Sequence, residues 1–429
     1  MANTEYLKRN DAIVIVGAGV FGLSTALELT KRGFQNITVI DRFMPPVVDG
    51  SSVDISRVIR SDYADPLYAR MASEAIHGWQ NEYSDFYHQS GFVMLSEELN
   101  NIYINSVRRV NLARGSPMTD HPDAEDIKNV YPRVQARLSG LHAYHNPSGG
   151  WANAQASIQR LALRCSNAGV MFVLGRQGTA HSLRTEGARV TGVNVVQGSP
   201  IAASQVILST GAWTNTLVNL NHAVSASGQP VGFIKLTEEE AKRLAGTPVM
   251  INMTTGIFCF PPTPESNILK IARHGYGYAT SMSTDVGSTT VSSPHRDYNN
   301  ARNSFLPADA ERDLRAGLAQ LVPEFANHPW MSHRLCWYTD TPEGDFVVGP
   351  HPEIPGLSLA TGGAGHAFKF LPILGKYIAN CLDGTADDAL REKWRVRPRT
   401  MDSIENKSGD GSRAGPPLRL LSITEQAKL

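Results

Sequence analysis

Every position from 12 to 16 (AIVIV) is apolar, and four of the five are β-branched. A strand without polar alternation is buried on both faces, as strands of a parallel sheet are. The run breaks into Gly17-Ala18-Gly19-Val20-Phe21-Gly22, and Leu23, Ala26, Leu27 and Leu29 then recur at helical spacing. A second run, ITVID, ends at Asp41. Residues 67–79 read as a helix ending at Trp79, and the stretch 149–169 as another ending at Gly169. VMFVLG is a strand, and SQVILSTGAW (204–213) is a strand that breaks into Thr210-Gly211-Ala212. DAERDLRAGLAQLVPEF (309–325) has the apolar spacing of an amphipathic helix. Residues 357–360 form a short apolar strand that breaks into Thr361-Gly362-Gly363-Ala364-Gly365, with a helical pattern directly behind it. Two strands ending in small residues, at 208 and 360, point to one ligand approached closely by backbone.

Between 85 and 150, and again from about 220 to 330, short strands alternate with polar loops. This predicts a second lobe inserted into the first. The α/β (α+β overall) architecture expected has a discontinuous dinucleotide-binding lobe at 1–84, 150–218 and 333–400. The second lobe takes 85–149 and 219–332, and a polar, basic surface tail takes 401–429.

The totals narrow the partners. The chain has 429 residues, 41% hydrophobic and 19% charged, with 40 basic and 40 acidic side chains. A zero formal charge offers nothing to nucleic acid or an anionic membrane surface. The four cysteines (165, 259, 336 and 381) have no CxxC spacing and are too sparse for a disulfide framework, which suits a reducing compartment. No apolar run approaches the length of a membrane span, and MANTEYLKRN has no apolar core of a secretory leader. No histidine cluster, the pair at 142 and 145 included, has metal-like spacing.

Strand, glycine motif, helix, strand and acid in that order form the dinucleotide fingerprint. Gly17, Gly19 and Gly22 make the tight turn, with Val20 and Phe21 between them. The pyrophosphate meets the helix N-terminus, and Asp41 takes the ribose hydroxyls. Arg42 and Ser52 join this cofactor set. The fingerprint does not separate NAD from FAD, and the bland alternative is a glycine-rich turn with no ligand.

The blocks VGAGVFGLSTALELTKRG, DISRVIRSDYADPLY, GGW at 149–151, STGAW, NILK, RLCWYTDTP and ATGGAGHAFKFLPILGKYI together resemble one family. It is the group of FAD-dependent oxidases that includes monomeric sarcosine oxidase, fungal fructosyl amino acid oxidases (amadoriases), and fungal pipecolate and saccharopine oxidases. The likeness implies two lobes: a Rossmann-like FAD lobe and a mainly antiparallel sheet roofing the flavin. It implies oxidation of a secondary amine's C–N bond, with hydrolysis of the imine and reduction of O₂ to H₂O₂. Cys336 matches the cysteine that bonds covalently to the flavin; from spacing alone it is an ordinary buried thiol. Lys270 matches the lysine that promotes reaction with O₂. Arg60 and Lys369 match the pair that holds the substrate carboxylate, and Arg57 matches a position beside the flavin ring. Gly363, Gly365, His366 and Phe368, with Lys369, match the loop that meets the ring's polar edge. The terminal Ala427-Lys428-Leu429 is similar to a peroxisomal address, which suits a peroxide producer.

Amadoriases carry an Asp-Glu pair three and four residues after the lysine; here Arg273 and His274 stand there. His274 is expected on the face of Lys270, and a basic site favours an anionic substituent over a neutral sugar. The DISRVIR block is also closer to sarcosine oxidase. These departures favour an N-alkyl or cyclic secondary amino acid (pipecolate, saccharopine or an N-methyl amino acid), with fructosyl amino acids as the runner-up. A monomer acting on a small amine and O₂ is expected. A nicotinamide dehydrogenase shares the fingerprint but leaves Cys336 and the ATGGAGHAFK block without a purpose, and a non-catalytic flavoprotein leaves Lys270 and Lys369 so.

Overall fold

A computed structural model describes residues 5–286, 290–296, 299–398 and 410–429. Its first sheet has six strands in the spatial order Val347–Pro350, Leu357–Thr361, Gln205–Leu208, Ile13–Val16, Ile37–Asp41 and Met171–Leu174. All are parallel except Val347–Pro350, which runs antiparallel at the edge. The apolar run at 13–16 is central and fully buried, as its lack of alternation predicts. Helices Val20–Lys31, Ala154–Asn167 and Leu371–Asp383 pack in one hydrophobic core over the sheet. Glycine permits the contact between the first and last of these: a Cβ on Gly375 would lie 2.1 Å from the Ser24 carbonyl oxygen. The hairpin Ala180–Glu186 and Arg189–Val195 shares a second core with Val14, Val16 and Ile40.

The larger sheet has ten strands and is mainly antiparallel. At its centre, Ser225–Lys235 lies between Ile268–Arg273 and Ser332–Asp340. The amphipathic helix, observed at Ala308–Leu321, buries Ala310, Leu314, Leu318 and Leu321 against this sheet's core.

Several expectations need correction. The stretch 85–150 is not all strand and loop. It holds the helix Ile102–Ala113, capped by Asn101, with Tyr103, Ile104, Val107 and Asn111 inward. Ile102 and Leu112, 84% and 65% exposed, blur the apolar period and hide this helix in the sequence. Residues 150–152 form a strand before the helix at 154–167. Residues 333–340, assigned above to the dinucleotide lobe, are hydrogen-bonded into the larger sheet. The helix expected directly behind Gly365 starts at Leu371, after a 3₁₀ turn over Ala367–Phe370. The C-terminal tail is no surface appendage from 410 onward. Arg419–Leu420 pairs with Tyr278–Ala279, and Ser412, Arg413 and Leu421 are buried. Polar composition misled here because the segment's side chains find partners inside the protein, as Arg413 does on Asp340 and Arg419 on Asp309. Positions 401–409 lie outside the described residues.

Candidate active site

One long cavity runs from the glycine turn to the larger sheet. It is lined by all of the cofactor and catalytic candidates except Gly22 and Cys336: Gly17, Gly19, Val20, Phe21, Asp41, Arg42, Ser52, Arg57, Arg60, Lys270, His274, Gly363, Gly365, His366, Phe368 and Lys369.

At the first end, the geometry is that of a dinucleotide cradle. Gly17 has φ +109°, and a Cβ there would sit 2.4 Å from the Ser209 carbonyl oxygen. Gly22 packs rather than lines: its Cβ would lie 1.9 Å from the Gly17 carbonyl oxygen. The Asp41 carboxylate accepts the Ala18 and Arg42 backbone N–H groups, both at 2.6 Å, and still faces the cavity. Burial raises the Asp41 pKa. Ser52 Oγ accepts the Val20 N–H at 2.9 Å, so it fastens the helix start. The Arg42 guanidinium donates to Asp49 (2.8 Å) and to the Arg296 carbonyl (2.6 Å), and stacks 4.5 Å over Trp213. Gly363 and Gly365 bring the second glycine-rich loop to the same cavity. At Gly365, φ is +75° and a Cβ would lie 2.3 Å from the Tyr338 ring.

Deeper in, three charges share one point. Lys270 Nζ donates to Asp54 and to the Ser56 carbonyl, each at 2.7 Å, and lies 4.7 Å over the Phe260 ring. Arg57 pairs with the same Asp54 oxygen and donates to the Ser51 carbonyl at 2.8 Å. The Lys270 and Asp54 side chains are each 1% exposed. Burial pushes the Asp54 carboxyl up, but Lys270 and Arg57 outweigh it and hold the group well below the carboxylate range. For Lys270, burial lowers the pKa, Asp54 opposes, and Arg57 adds to the lowering, leaving it at about 8. Asp54, three residues before Arg57, escaped the sequence reading although it stands in the DISRVIR block. No local rule pairs it with a strand residue 216 positions away.

The register explains how Cys336 arrives nearby. Directly opposed residues of an antiparallel pair share a face, and the period is two. Lys270 opposes Phe233 and Cys336 opposes Gln229, so both project from the same face of the sheet. The Cys336 sulfur is buried, 3.5 Å from Arg57 Nη2. Cys336 itself does not line the cavity, whereas its neighbours Arg57 and Tyr338 do. The same period carries Arg273 to the other face, where it pairs with Asp313 of helix Ala308–Leu321 at 2.6 Å. Arg273 therefore adds nothing to the cavity, contrary to expectation. His274 does line it, but burial first and the Arg413 charge second lower its pKa to about 3, so it is neutral. The basic character predicted from this pair is not there.

The positive pole is instead Arg60 and Lys369. Arg60 is 8% exposed, donates from Nη2 to the Tyr103 hydroxyl at 3.2 Å, and leaves Nη1 buried without a partner among the described residues. Both cations lie over the Tyr63 ring, Arg60 at 5.1 Å and Lys369 at 5.2 Å. Lys369 Nζ donates to the Tyr63 hydroxyl (2.9 Å) and the His366 carbonyl (3.0 Å). Burial, reinforced by Arg60, lowers its pKa well below the ordinary value. Burial lowers His366 to about 4. Its Nε2 donates to the Gly344 carbonyl at 2.7 Å, so Nδ1 accepts from Tyr63 at 2.9 Å. The loop thus orders a chain from Lys369 through Tyr63 and His366 to backbone. Tyr63 was missed because an aromatic in a polar loop carries no signal of its own. On the side of Arg60, which lies 5.3 Å over the Phe92 ring, the wall includes six apolar side chains: Phe92, Met94, Ile251, Met253, Phe258 and Phe260.

Among the described residues there is no metal-binding cluster, and no helix is long and apolar enough to cross a membrane. The sequence profile of a family described as FAD dependent oxidoreductase matches residues 12–381. An L-saccharopine oxidase of Schizosaccharomyces pombe is 33% identical, with 90% of this chain and 93% of that protein aligned. A monomeric sarcosine oxidase from a Bacillus species is 26% identical over 86% of this chain and 91% of that one. The solved structure of Amadoriase II from Aspergillus fumigatus superposes with a TM-score of 0.84 at 26% identity, covering 97% of this chain and 96% of that one. The fructosyl peptide oxidase from E. terrenum superposes at 0.86, with 26% identity and 97% of each chain.

Proposed function

From the premise that the chain belongs to the FAD dependent oxidoreductases, we propose that it is an oxidase of secondary amino acids carrying an N-alkyl or ring substituent. The reaction converts R₂CH–NH–R′, O₂ and H₂O into R₂C=O, R′NH₂ and H₂O₂. When bound, FAD supplies the two-electron acceptor. The glycine turns and Asp41 at the cavity wall fit its dinucleotide half, and the chamber beyond is left for the amine. Arg60 and Lys369 hold the substrate carboxylate; the orphaned Arg60 Nη1 is the donor that such an anion satisfies. Lys270 holds a positive charge where negative charge develops on oxygen. The monomeric sarcosine oxidase among the relatives supports a monomer.

The observation that carries the substrate class is the apolar wall of six side chains beside the cationic pair. It suits an alkyl or ring substituent, whereas a sugar needs buried polar partners for each hydroxyl. The saccharopine oxidase relative supports the same choice. Peroxide release is measured with pipecolate, saccharopine, N-methylglycine, fructosyl-valine and fructosyl-lysine. Activity confined to the two fructosyl compounds overturns the assignment in favour of deglycation.

Cys336 is proposed to tether the flavin, because its sulfur lies against Arg57 at the cavity wall. Acid-precipitated wild-type protein then stays yellow, and Cys336→Ser releases its colour into the supernatant. Colour released equally by both proteins removes the tether from the account.

The terminal Ala427-Lys428-Leu429 is proposed as a peroxisomal address, read by a receptor. In the folded chain Leu429 packs against the larger lobe, and Lys428 lies 5.4 Å over Phe305. Reading therefore requires these last residues to lift off. A fluorescent protein fused to the N-terminus is expected in punctate organelles and, without the last three residues, throughout the cytosol. Identical distributions refute it.

A further inference from the structure

The start of the last described segment, at 410–413, reaches the chamber, and none of the roles above uses it. Ser412 lines the same cavity as Arg60 and Lys369. Arg413 fastens the segment to both sides of the chamber. Its guanidinium pairs with Asp340 and donates to the Gly275 and Ala364 carbonyls, each at 3.3 Å. Gly275 follows the Lys270 strand, and Ala364 belongs to the glycine-rich loop, so the strap spans sheet and loop. The Arg413 side chain is 1% exposed.

This anchorage aims Asp410. The Ser412 N–H (3.1 Å) and Oγ–H both donate to Asp410 Oδ1. With its one hydroxyl proton given there, Ser412 Oγ accepts from His274 Nε2 at 2.9 Å. Oδ1 is thereby occupied, while Oδ2 is buried without a partner among the described residues. A buried orphaned carboxylate oxygen is costly, as is the orphaned Arg60 Nη1 in the chamber that Ser412 lines. Burial pushes the Asp410 carboxyl up, but the Ser412 hydrogen bond and the Arg60 charge oppose it and bring it below its ordinary value. It is ionised and within electrostatic reach of the Arg60 seat. One donor and one acceptor, of opposite charge and both unsatisfied, match a ligand with its own poles side by side. An amino acid has them one carbon apart.

We propose that the C-terminal strap completes the substrate site: Asp410 is a specificity-determining residue whose Oδ2 accepts the N–H of the substrate's amino nitrogen while Arg60 and Lys369 hold its carboxylate. Ser412 is the positioning residue that holds Asp410 in place. The assignment rests on the amino-acid reading above and adds to it the group that distinguishes an amino acid from a plain acid.

The test uses isosteric pairs on the holoenzyme: pipecolate against cyclohexanecarboxylate, and N-methylglycine against butyrate. KM is measured for the amines, competitive inhibition for the acids, and calorimetry gives dissociation constants for the acids directly. In Asp410→Asn and Asp410→Ala, KM for both amines rises tenfold or more. The two nitrogen-free acids bind as in wild type or more tightly, because a negative charge beside the cationic seat is gone. Ser412→Ala shifts the amines the same way by a smaller factor. Unchanged amine KM, or equal weakening of amines and acids, overturns the role of Asp410 and leaves the oxidase assignment standing. Wild-type protein that oxidises neither amine and binds neither acid overturns the amino-acid reading, and this proposal with it.

Discussion

Lys270→Met lowers kcat/KM for oxygen by about 10²–10³-fold, the usual effect of removing one preorganised charge from a site of developing negative charge. The amine half is affected far less, so kcat/KM for the amine stays within an order of magnitude of wild type. The variant is also less stable by about 3 kcal/mol, the lower end for breaking a buried pair, because Arg57 still neutralises Asp54. Oxygen dependence measured in a Clark cell, beside urea denaturation, checks both numbers. Equal losses in the oxygen and amine terms would remove Lys270 from the oxygen step. The pH profile adds a signature. Only the ammonium form carries the charge, so the oxygen term of the wild type falls as pH rises through about 8, and Lys270→Met lacks that limb. Stability moves the other way. A lysine with a folded pKa below its unfolded one binds fewer protons when folded, so its contribution to stability increases between about 8 and the free-amine range.

Arg60→Met has the opposite kinetic character. The amine KM rises about 10²-fold or more, from the 2–5 kcal/mol lost when one partner of a buried charge pair is truncated. kcat/KM for oxygen is unchanged. The fold barely notices: Arg60 makes one long hydrogen bond, to Tyr103, and no ion pair among the described residues, so thermal stability shifts by about 1 kcal/mol or less. Arg60→Lys recovers part of the loss, since a lysine restores the charge without the bidentate fork. Steady-state kinetics at varied amine and varied oxygen separate this variant from Lys270→Met. A variant that loses stability as well as amine affinity would make Arg60 a structural residue.

Much of this protein is decided over a few neighbouring residues, and that much was legible in the chain. The uninterrupted apolar run at 13–16, the glycine turn and the acid at 41 specify a parallel strand, a tight turn and a cradle. Each depends only on backbone sterics and burial within about thirty positions. The blocks around Arg57, Lys270, Cys336 and Lys369 were equally readable, because each keeps its own residue types in short order. What those blocks do to one another was not. The period of two that put His274 beside the cavity also turned Arg273 to the far face, where a helix 40 residues on supplies its partner. Asp54 meets Lys270 across 216 positions, and Arg413 meets Asp340 across 73. The polar segment at 410–413 looked like solvated tail, yet it buries Arg413 and brings Ser412 to the chamber wall. Ion pairs and orphaned atoms of this kind are set by which surfaces the packed sheets bring together. Only the tertiary structure could state that one carboxylate serves two cations and that another, Asp410, keeps an oxygen buried without a partner among the described residues.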